Sequence, residues 1–216
     1  MILKNYYSEI AGLHMKKRLL AATLICAVCL VGCSVEVPED VFKEKYPIGT
    51  EVELSGVKFN IYKVDAKDEE LYLLARESIA TTLYSDSEHR GDDLHDYVGS
   101  YVYDYIEDFA DDLQDDQGIE LIWDGLIDAE DLSEIGSFES SGGLSGRPYH
   151  AGDDTPEFVT CEDSYWVGGY CKFDTYSWAY HNGYYDMEQC YKNEYGVRPA
   201  ICVKAEVLEN AQDKRC

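Results

Sequence analysis

Cysteine offers the widest range of chemistry in this chain, which contains eight cysteine residues. Four of them stand ten to nineteen residues apart near the end of the chain: Cys161, Cys171, Cys190 and Cys202. A zinc site is disfavoured because these spacings contain no paired C-x-x-C element. Thiol catalysis lacks support because no catalytic motif ties His150 or His181 to a cysteine. We therefore predict disulfides among these four residues, with three pairings open, and no metal site.

Aromatic side chains in the same region offer a second kind of chemistry, the binding of a ligand surface. Tyrosine and tryptophan provide large, stiff contact area with a polar tip, which suits both sugars and protein surfaces. The candidate ligand-binding residues are Tyr165, Trp166, Tyr176, Trp178, Tyr180 and Tyr184. The alternative interpretation is that they form strand core and ordinary half-exposed strand surface. The role of Arg198 is open in the same way, because its guanidinium could bind a ligand anion or form a structural ion pair with a nearby carboxylate.

A further reactive residue, Cys33, follows a segment with the features of an export leader. Met15-Lys16-Lys17-Arg18 is a short basic start, and residues 19–31 form an apolar run too short for a permanent membrane span. The run ends in Leu30-Val31-Gly32-Cys33, which closely resembles a bacterial lipobox. That resemblance implies cleavage before Cys33 and lipidation of its sulfur.

The leader predicts how the first part of the chain is organised. We expect an upstream extension at residues 1–14, with translation starting at Met15, and a lipoprotein signal peptide at 15–32. Residues 33–47 contain two prolines and several charges, and they are predicted to be a lipidated tether. The protein is then anchored to the bacterial cell membrane by its lipid and faces outside the cytoplasm.

The formal net charge of −25 limits the partners that the chain can have. A chain this acidic is repelled by phosphate backbones, which excludes nucleic acid, and by anionic membrane surfaces. The acidic run from Asp112 to Gln117 misses the calcium-loop pattern because Gln117 stands where the loop requires glycine. We predict no cofactor, and a membrane contact through the N-terminal lipid alone.

Two periodicities in the middle of the chain indicate its elements. Alternating apolar residues at 51–64, with a Ser55-Gly56 turn, predict a hairpin, and the apolar run at 71–75 predicts a buried strand. From 94 to 113 the apolar residues recur at three- and four-residue steps, which predicts a long amphipathic helix. Asp128 as N-cap and Gly136 as stop then delimit a short helix.

The last third of the chain predicts strands. Asn182-Gly183 suits a type I′ turn between two aromatic arms, and residues 197–203 alternate as a closing strand. The predicted fold class is α+β, with a curved antiparallel sheet, one long helix and one short helix. The sequence places this single domain at 48–208, followed by a tail at 209–216.

The order of these pieces resembles a family of exported bacterial domains, domain of unknown function 6273. Members carry segments like Val57–Tyr62, Leu71–Ala75 and Leu126–Leu132, and end in a signature that is present here as Gly196–Ile201. The ending is also similar to the C-type-lectin-like and formylglycine-generating-enzyme-like group. The resemblance implies a C-type-lectin-like fold over about 48–204. This chain departs from the family in having Trp166-Val167-Gly168 in its aromatic strand and in its additional cysteines.

The sequence thus predicts a lipid-anchored cell-surface protein that acts as a non-catalytic binding or adhesion module for a glycan or protein ligand. A formylglycine-generating-type oxidase, using Cys171 with Cys190, or another extracellular enzyme is one alternative, and a structural envelope component is another. No Gly-x-Ser-x-Gly, His-Glu-x-x-His or phosphate loop supports an enzyme. The Glu-Pro-Asn and Gln-Pro-Asp motifs of calcium-dependent lectins are also missing from the sequence.

Overall fold

The structure, a computed structural model, describes residues 38–86, 97–136, 138–140, 149–160, 163–169 and 175–213. In chain order, its elements are α1 (Glu39–Lys45), β1 (Glu51–Leu54), β2 (Val57–Asp65), β3 (Glu70–Ala75), β4 (Ala80–Thr82), α2 (Tyr101–Asp111), a π-helical turn (Asp112–Asp116), β5 (Trp123–Leu126), α3 (Ala129–Ile135), β6 (Phe138–Ser140), β7 (Tyr149–Ala151), β8 (Tyr165–Val167), β9 (Tyr176–His181), β10 (Tyr184–Gln189), β11 (Tyr195–Val197), β12 (Pro199–Lys204) and α4 (Ala205–Asp213).

The first sheet joins the two ends of the domain. Its strand order is β1-β2-β3-β12-β5, and every neighbouring pair is antiparallel. The predicted hairpin at 51–64 and the predicted strand at 71–75 are both confirmed as the first three strands. Strand β12 lies between β3 and β5, and all its residues except Lys204 are buried. The closing strand is therefore an interior strand of the sheet, covered on both faces.

The second sheet contains the aromatic hairpin. Its strand order is β4-β11-β8-β9-β10-β7-β6, antiparallel except for the parallel pair β8 and β11. Asn182 and Gly183 have φ angles of 51° and 81°, the left-handed values that a type I′ turn requires. The hairpin predicted from Asn182-Gly183 is confirmed, with His181 opposite Tyr184.

Two sheets replace the one curved sheet that the sequence predicts. The described chain is a mixed α+β structure with four α-helices, and the expectation of one long and one short helix was wrong in number. Strands β11 and β12 belong to different sheets although only Arg198 separates them. The alternation of residues 197–203 reads as one continuous strand in sequence, so it carries no sign of this change of sheet.

The two predicted helices are present. Helix α2 buries Val102, Ile106 and Ala110, and its N-cap residue, Ser100, accepts a hydrogen bond from the backbone N–H of Tyr103 at 3.0 Å. Helix α3 is capped by Asp128, whose carboxylate accepts from the backbone N–H of Asp131 at 2.8 Å. Capping therefore located α3, and periodicity located the buried face of α2, but the predicted start of the long helix was wrong, because the described residues 97–100 form a turn and the helix begins at Tyr101. Part of the long helix predicted from residue 94 lies outside the described residues.

Helices α1 and α4 correct the predicted domain boundaries. Residues 39–47 were predicted to be tether, yet Phe42 and Tyr46 are buried against the first sheet. Residues 209–213 were predicted to be tail, yet they continue α4, and Glu209 accepts a hydrogen bond from the Tyr46 hydroxyl at 2.8 Å. Lys45 pairs with the same carboxylate. Helix α1 has only seven residues, so its stability comes from packing and not from a recognisable sequence period.

Arg198 lies at the junction between the two sheets and is almost completely buried, with 1% of its surface exposed. Its Nε donates to the carbonyl of Ala75 at 3.0 Å, and its Nη2 donates to the carbonyl of Phe158 at 2.9 Å. The guanidinium also lies 4.5 Å from the ring centroid of Tyr165. These contacts favour the structural interpretation of Arg198.

We expect Arg198→Met to destabilise the domain by about 2–4 kcal/mol, because it leaves two buried carbonyls without these donors while keeping most of the side-chain volume. Urea unfolding followed by circular dichroism measures the loss. Arg76→Met is the matched control, since Arg76 is half exposed and pairs only at the surface, and it should change stability far less. Equal losses in the two variants would contradict the assigned role of Arg198.

Candidate functional site

Three of the six predicted ligand-binding residues are core residues. Tyr165, Trp166 and Tyr180 have 0–2% of their surface exposed. The Tyr165 hydroxyl donates to the carbonyl of Val159 at 3.0 Å, and the Trp166 indole donates to the carbonyl of Thr82 at 2.9 Å. Burial and these internal hydrogen bonds favour the alternative interpretation that the three residues are strand core, since their rings fill the space on the two faces of the second sheet.

The other three residues do not form one surface. Trp178 is half-buried and stacks on Tyr185 with 4.6 Å between ring centroids, and Tyr176 accepts a hydrogen bond from Gln189 at 3.1 Å. Tyr184 is 39% exposed and lies opposite His181, so it extends from the other face of the sheet than Trp178. The alternation of side chains along β9 and β10 therefore separates the predicted aromatic set.

The cysteine prediction is only partly open to comparison, because Cys33, Cys161 and Cys171 lie outside the described residues. Cys190 is buried beneath α2, and no disulfide joins any two described residues. Cys202 is a free thiol, with its Sγ 3.8 Å from a Glu70 oxygen. Burial, followed by the charge of Glu70, raises the pKa of the Cys202 thiol to about 11. The predicted disulfide of Cys202 is not formed, and its thiol is protonated at neutral pH.

A groove that the sequence does not indicate lies between α1, β2 and α3. It is open to solvent and has a volume of about 540 Å³. We call it the Tyr62 groove, and its lining consists of Lys43, Tyr46, Ile48, Tyr62, Lys63, Val64, Asp131, Glu134 and Ile135. Apolar side chains and paired charges thus share one concave surface, as in many ligand sites.

Tyr62 is the residue that distinguishes this groove. Its neighbour Ile61 is opposite Leu73 and Lys63 is opposite Tyr72, so Tyr62 is the extra residue of a β-bulge. Bulges change the direction of a side chain and are frequent next to functional sites. Only 1% of the surface of Tyr62 is exposed, and its hydroxyl has no hydrogen-bond partner. It is one of several buried polar atoms without a partner among the described residues, and it is the one that belongs to the lining of this groove.

The charges beside Tyr62 are held in fixed positions. Lys63 Nζ lies 2.7 Å from Asp131 Oδ1 and 5.2 Å from the ring centroid of Tyr72. Burial raises the pKa of Asp131, and the hydrogen bond from Lys63 opposes that rise while it raises the pKa of Lys63. Burial, followed by the charges of Asp131 and Asp128, raises the pKa of Tyr62 far above its ordinary value. Its hydroxyl therefore remains a hydrogen-bond donor at physiological pH.

Comparison with known proteins finds no relatives. No protein-family model, curated protein or solved structure matches the chain. The resemblance of Gly196–Ile201 and the earlier segments to the exported family therefore stays a prediction.

The chemistry available at the groove is hydrogen bonding and apolar contact. In the described part of the chain, no group of three or more His, Cys, Asp or Glu side chains is arranged to hold a metal ion. Over the same residues, no helix is both long enough and apolar enough to cross a membrane. Sequence alternation at 57–62 placed Tyr62 on the face opposite Phe59 and Ile61, and in the structure Tyr62 does pack in a different core cluster from these two residues. The sequence did not indicate the bulge at Tyr62 or its unpartnered hydroxyl, because a one-residue bulge leaves no mark in composition.

Tyr62→Phe should not destabilise the ligand-free protein, and we expect a gain of up to about 1 kcal/mol, because the variant removes a buried hydroxyl that has no partner. Tyr46→Phe is the control within the same groove, since it removes a hydroxyl that donates to Glu209 and should cost about 1–2 kcal/mol. Thermal and urea unfolding of the two variants measure the difference. A loss above 1 kcal/mol in Tyr62→Phe would show that its hydroxyl has a partner after all.

Proposed function

We propose that this protein is a lipid-anchored, extracellular binding module whose Tyr62 groove takes a glycan. The observation that carries this proposal is the buried Tyr62 hydroxyl with no partner. Leaving such a group unsatisfied costs about 1–3 kcal/mol. Departures of this kind from good local structure are expected at functional sites, where the ligand supplies the missing interaction.

A ligand hydroxyl fits this position better than a charged group. Asp131 is the charge that acts most strongly on Tyr62, and it already accepts from Lys63. A sugar hydroxyl can accept from Tyr62 and donate to Asp131 at the same time, which neither a carboxylate nor an ammonium can do. The hydroxyl groups of a glycan therefore complement both Tyr62, which needs an acceptor, and Asp131, which needs a donor.

The rest of the groove has the same balanced character. Its two lysines and two acids, Lys43, Lys63, Asp131 and Glu134, sum to zero charge, although the whole chain carries −25. Ile48, Val64 and Ile135 add apolar walls that can cover the CH groups of a sugar ring. A neutral, polyhydroxylated ligand matches this surface, whereas a strongly charged one does not.

The leader that ends at Cys33 and the resemblance of Gly196–Ile201 are the features that support an exported, anchored module with a C-type-lectin-like fold. The mixed α+β architecture of the described residues agrees with the fold class that this resemblance implies. Residues 34–38 separate the lipobox residue Cys33 from the first residue of α1, Glu39. Lipidation at Cys33 would tether the domain to the membrane through this segment.

The test is a glycan array probed with the mature protein, purified from membranes in detergent. We expect saturable binding to a subset of neutral glycans, weakened about tenfold or more in Tyr62→Phe, because one buried hydrogen bond to the ligand is lost. Tyr184→Phe is the control, since Tyr184 is an exposed tyrosine that does not line the groove. Binding that survives in Tyr62→Phe but is lost in Tyr184→Phe would contradict the groove assignment.

Lipidation is tested separately with Cys33→Ser. We expect the wild-type chain in the membrane fraction with a diacylglycerol mass increment on Cys33, and we expect the variant to lack the increment and remain uncleaved before residue 33. Cell fractionation and mass spectrometry of the N-terminal peptide provide the two readouts. An unmodified Cys33 in a wild-type protein recovered from the membrane fraction would contradict the proposed anchor.

A further inference from the structure

Asn60, on the same strand as Tyr62, presents a second unsatisfied polar group. It lies opposite Glu51 in the β1–β2 pair and has only 7% of its surface exposed. Its Nδ2 donates to the carbonyl of Gly49 at 3.0 Å, whereas its Oδ1 is buried without a hydrogen-bond partner. The orientation of the Asn60 amide follows from this contact. The carbonyl of Gly49 can only accept a hydrogen bond, so the NH₂ group of Asn60, and not its oxygen, must face it.

The amide borders a shallow depression that is separate in its lining from the Tyr62 groove. The depression is lined by Gly49, Glu51, Asn60, Arg76, Glu157 and Phe158. Glu51 is already neutralised, since it pairs with Arg76 and lies 3.3 Å from Lys58 Nζ. Glu157 is exposed and forms no ion pair with any described residue. The site therefore combines a neutral acceptor, one uncompensated carboxylate and an aromatic side chain.

We propose that this depression binds a primary ammonium group. An ammonium has three donors and no acceptor, so it can donate to Asn60 Oδ1 and to Glu157 together. The side chain of Phe158 lines the same depression and is held by its carbonyl, which accepts from Arg198. An aromatic ring near a cation adds favourable electrostatic contact. A ligand carboxylate or phosphate would meet Glu157 and an orphan acceptor, both of which repel it, and the cation of the lining, Arg76, already pairs with Glu51.

The ammonium can come from a lysine side chain of a protein partner or from an amino sugar. Titration of the isotope-labelled mature protein in detergent micelles, followed by nuclear magnetic resonance, separates these sources. The probes are Nα-acetyl-lysine amide and glucosamine, each compared with its N-acetylated form, which keeps the shape and removes the charge. We expect the amines to shift the side-chain NH₂ resonances of Asn60, because its carbonyl becomes hydrogen-bonded, and we expect the acetylated forms not to do so.

Two variants locate the charge that the ammonium meets. Glu157→Gln should weaken amine binding about fivefold, because the charge-assisted hydrogen bond becomes a neutral one. Asp154→Asn is the matched control, since Asp154 is an exposed acid in the same segment but does not line the depression. Glu157 and Asp154 are both exposed, so neither substitution should disturb folding. Of the two amine probes, the one that binds more tightly indicates whether the natural ammonium comes from a lysine side chain or from an amino sugar.

Three results would overturn this assignment: equal shifts with the acetylated probes, amine binding that leaves Asn60 unchanged, or no saturable binding because a bound water alone satisfies Oδ1. The titration is repeated in Tyr62→Phe, where the Asn60 shift should persist. This inference does not rest on the proposed glycan site, so failure of one leaves the other intact.

Discussion

The burial of Arg198 is the constraint on which the rest of the structure depends. A cation removed from water must find fixed hydrogen-bond acceptors, and here they include backbone carbonyls from two separate parts of the chain. Ala75 ends β3 in the first sheet, Phe158 lies in the segment after β7, and Tyr165 begins β8 in the second sheet. One side chain therefore ties together both sheets and the segment beside them.

The position of Arg198 also explains how the chain changes sheet. Strand β11 pairs with β4 and β8, and one residue later β12 pairs with β3 and β5. The close approach at β11 depends on Gly196, because a Cβ atom there would lie 2.0 Å from Ser78 Oγ and 3.0 Å from the carbonyl of Ser164. A small residue followed by a buried arginine thus sets the junction between the sheets.

The two candidate sites are both built on strand β2, and each depends on a buried polar group that has no hydrogen-bond partner. Asn60 and Tyr62 each leave one buried polar atom unsatisfied, and Tyr62, two positions after Asn60, is the residue where the β2–β3 register shifts. Neither site contains a group poised for covalent chemistry, and both are suited to recognition by hydrogen bonds. Arg198 supports one of them directly, since it holds the backbone of Phe158 at the wall of the Asn60 depression. The hydrogen bond from Arg198 therefore fixes the backbone at one wall of this candidate binding surface.

Local features of the sequence determined the elements whose signals are themselves local. Asn182-Gly183 specified the aromatic hairpin, the spacing of Val102 and Ile106 specified α2, and Asp128 specified the start of α3. These signals depend on backbone conformation and periodicity within a few residues, so they can be read without the fold.

Only the tertiary structure decided which side chains are accessible. Tyr165, Trp166 and Tyr180 resemble a binding surface in sequence, but sheet packing on both faces makes them core. The bulge at Tyr62 depends on the register between β2 and β3, which no single strand encodes. A short helix such as α1 is stable only through its packing against residues that are distant in sequence. The sequence of α1 therefore gave no helix signal, and its residues were predicted to be part of a tether.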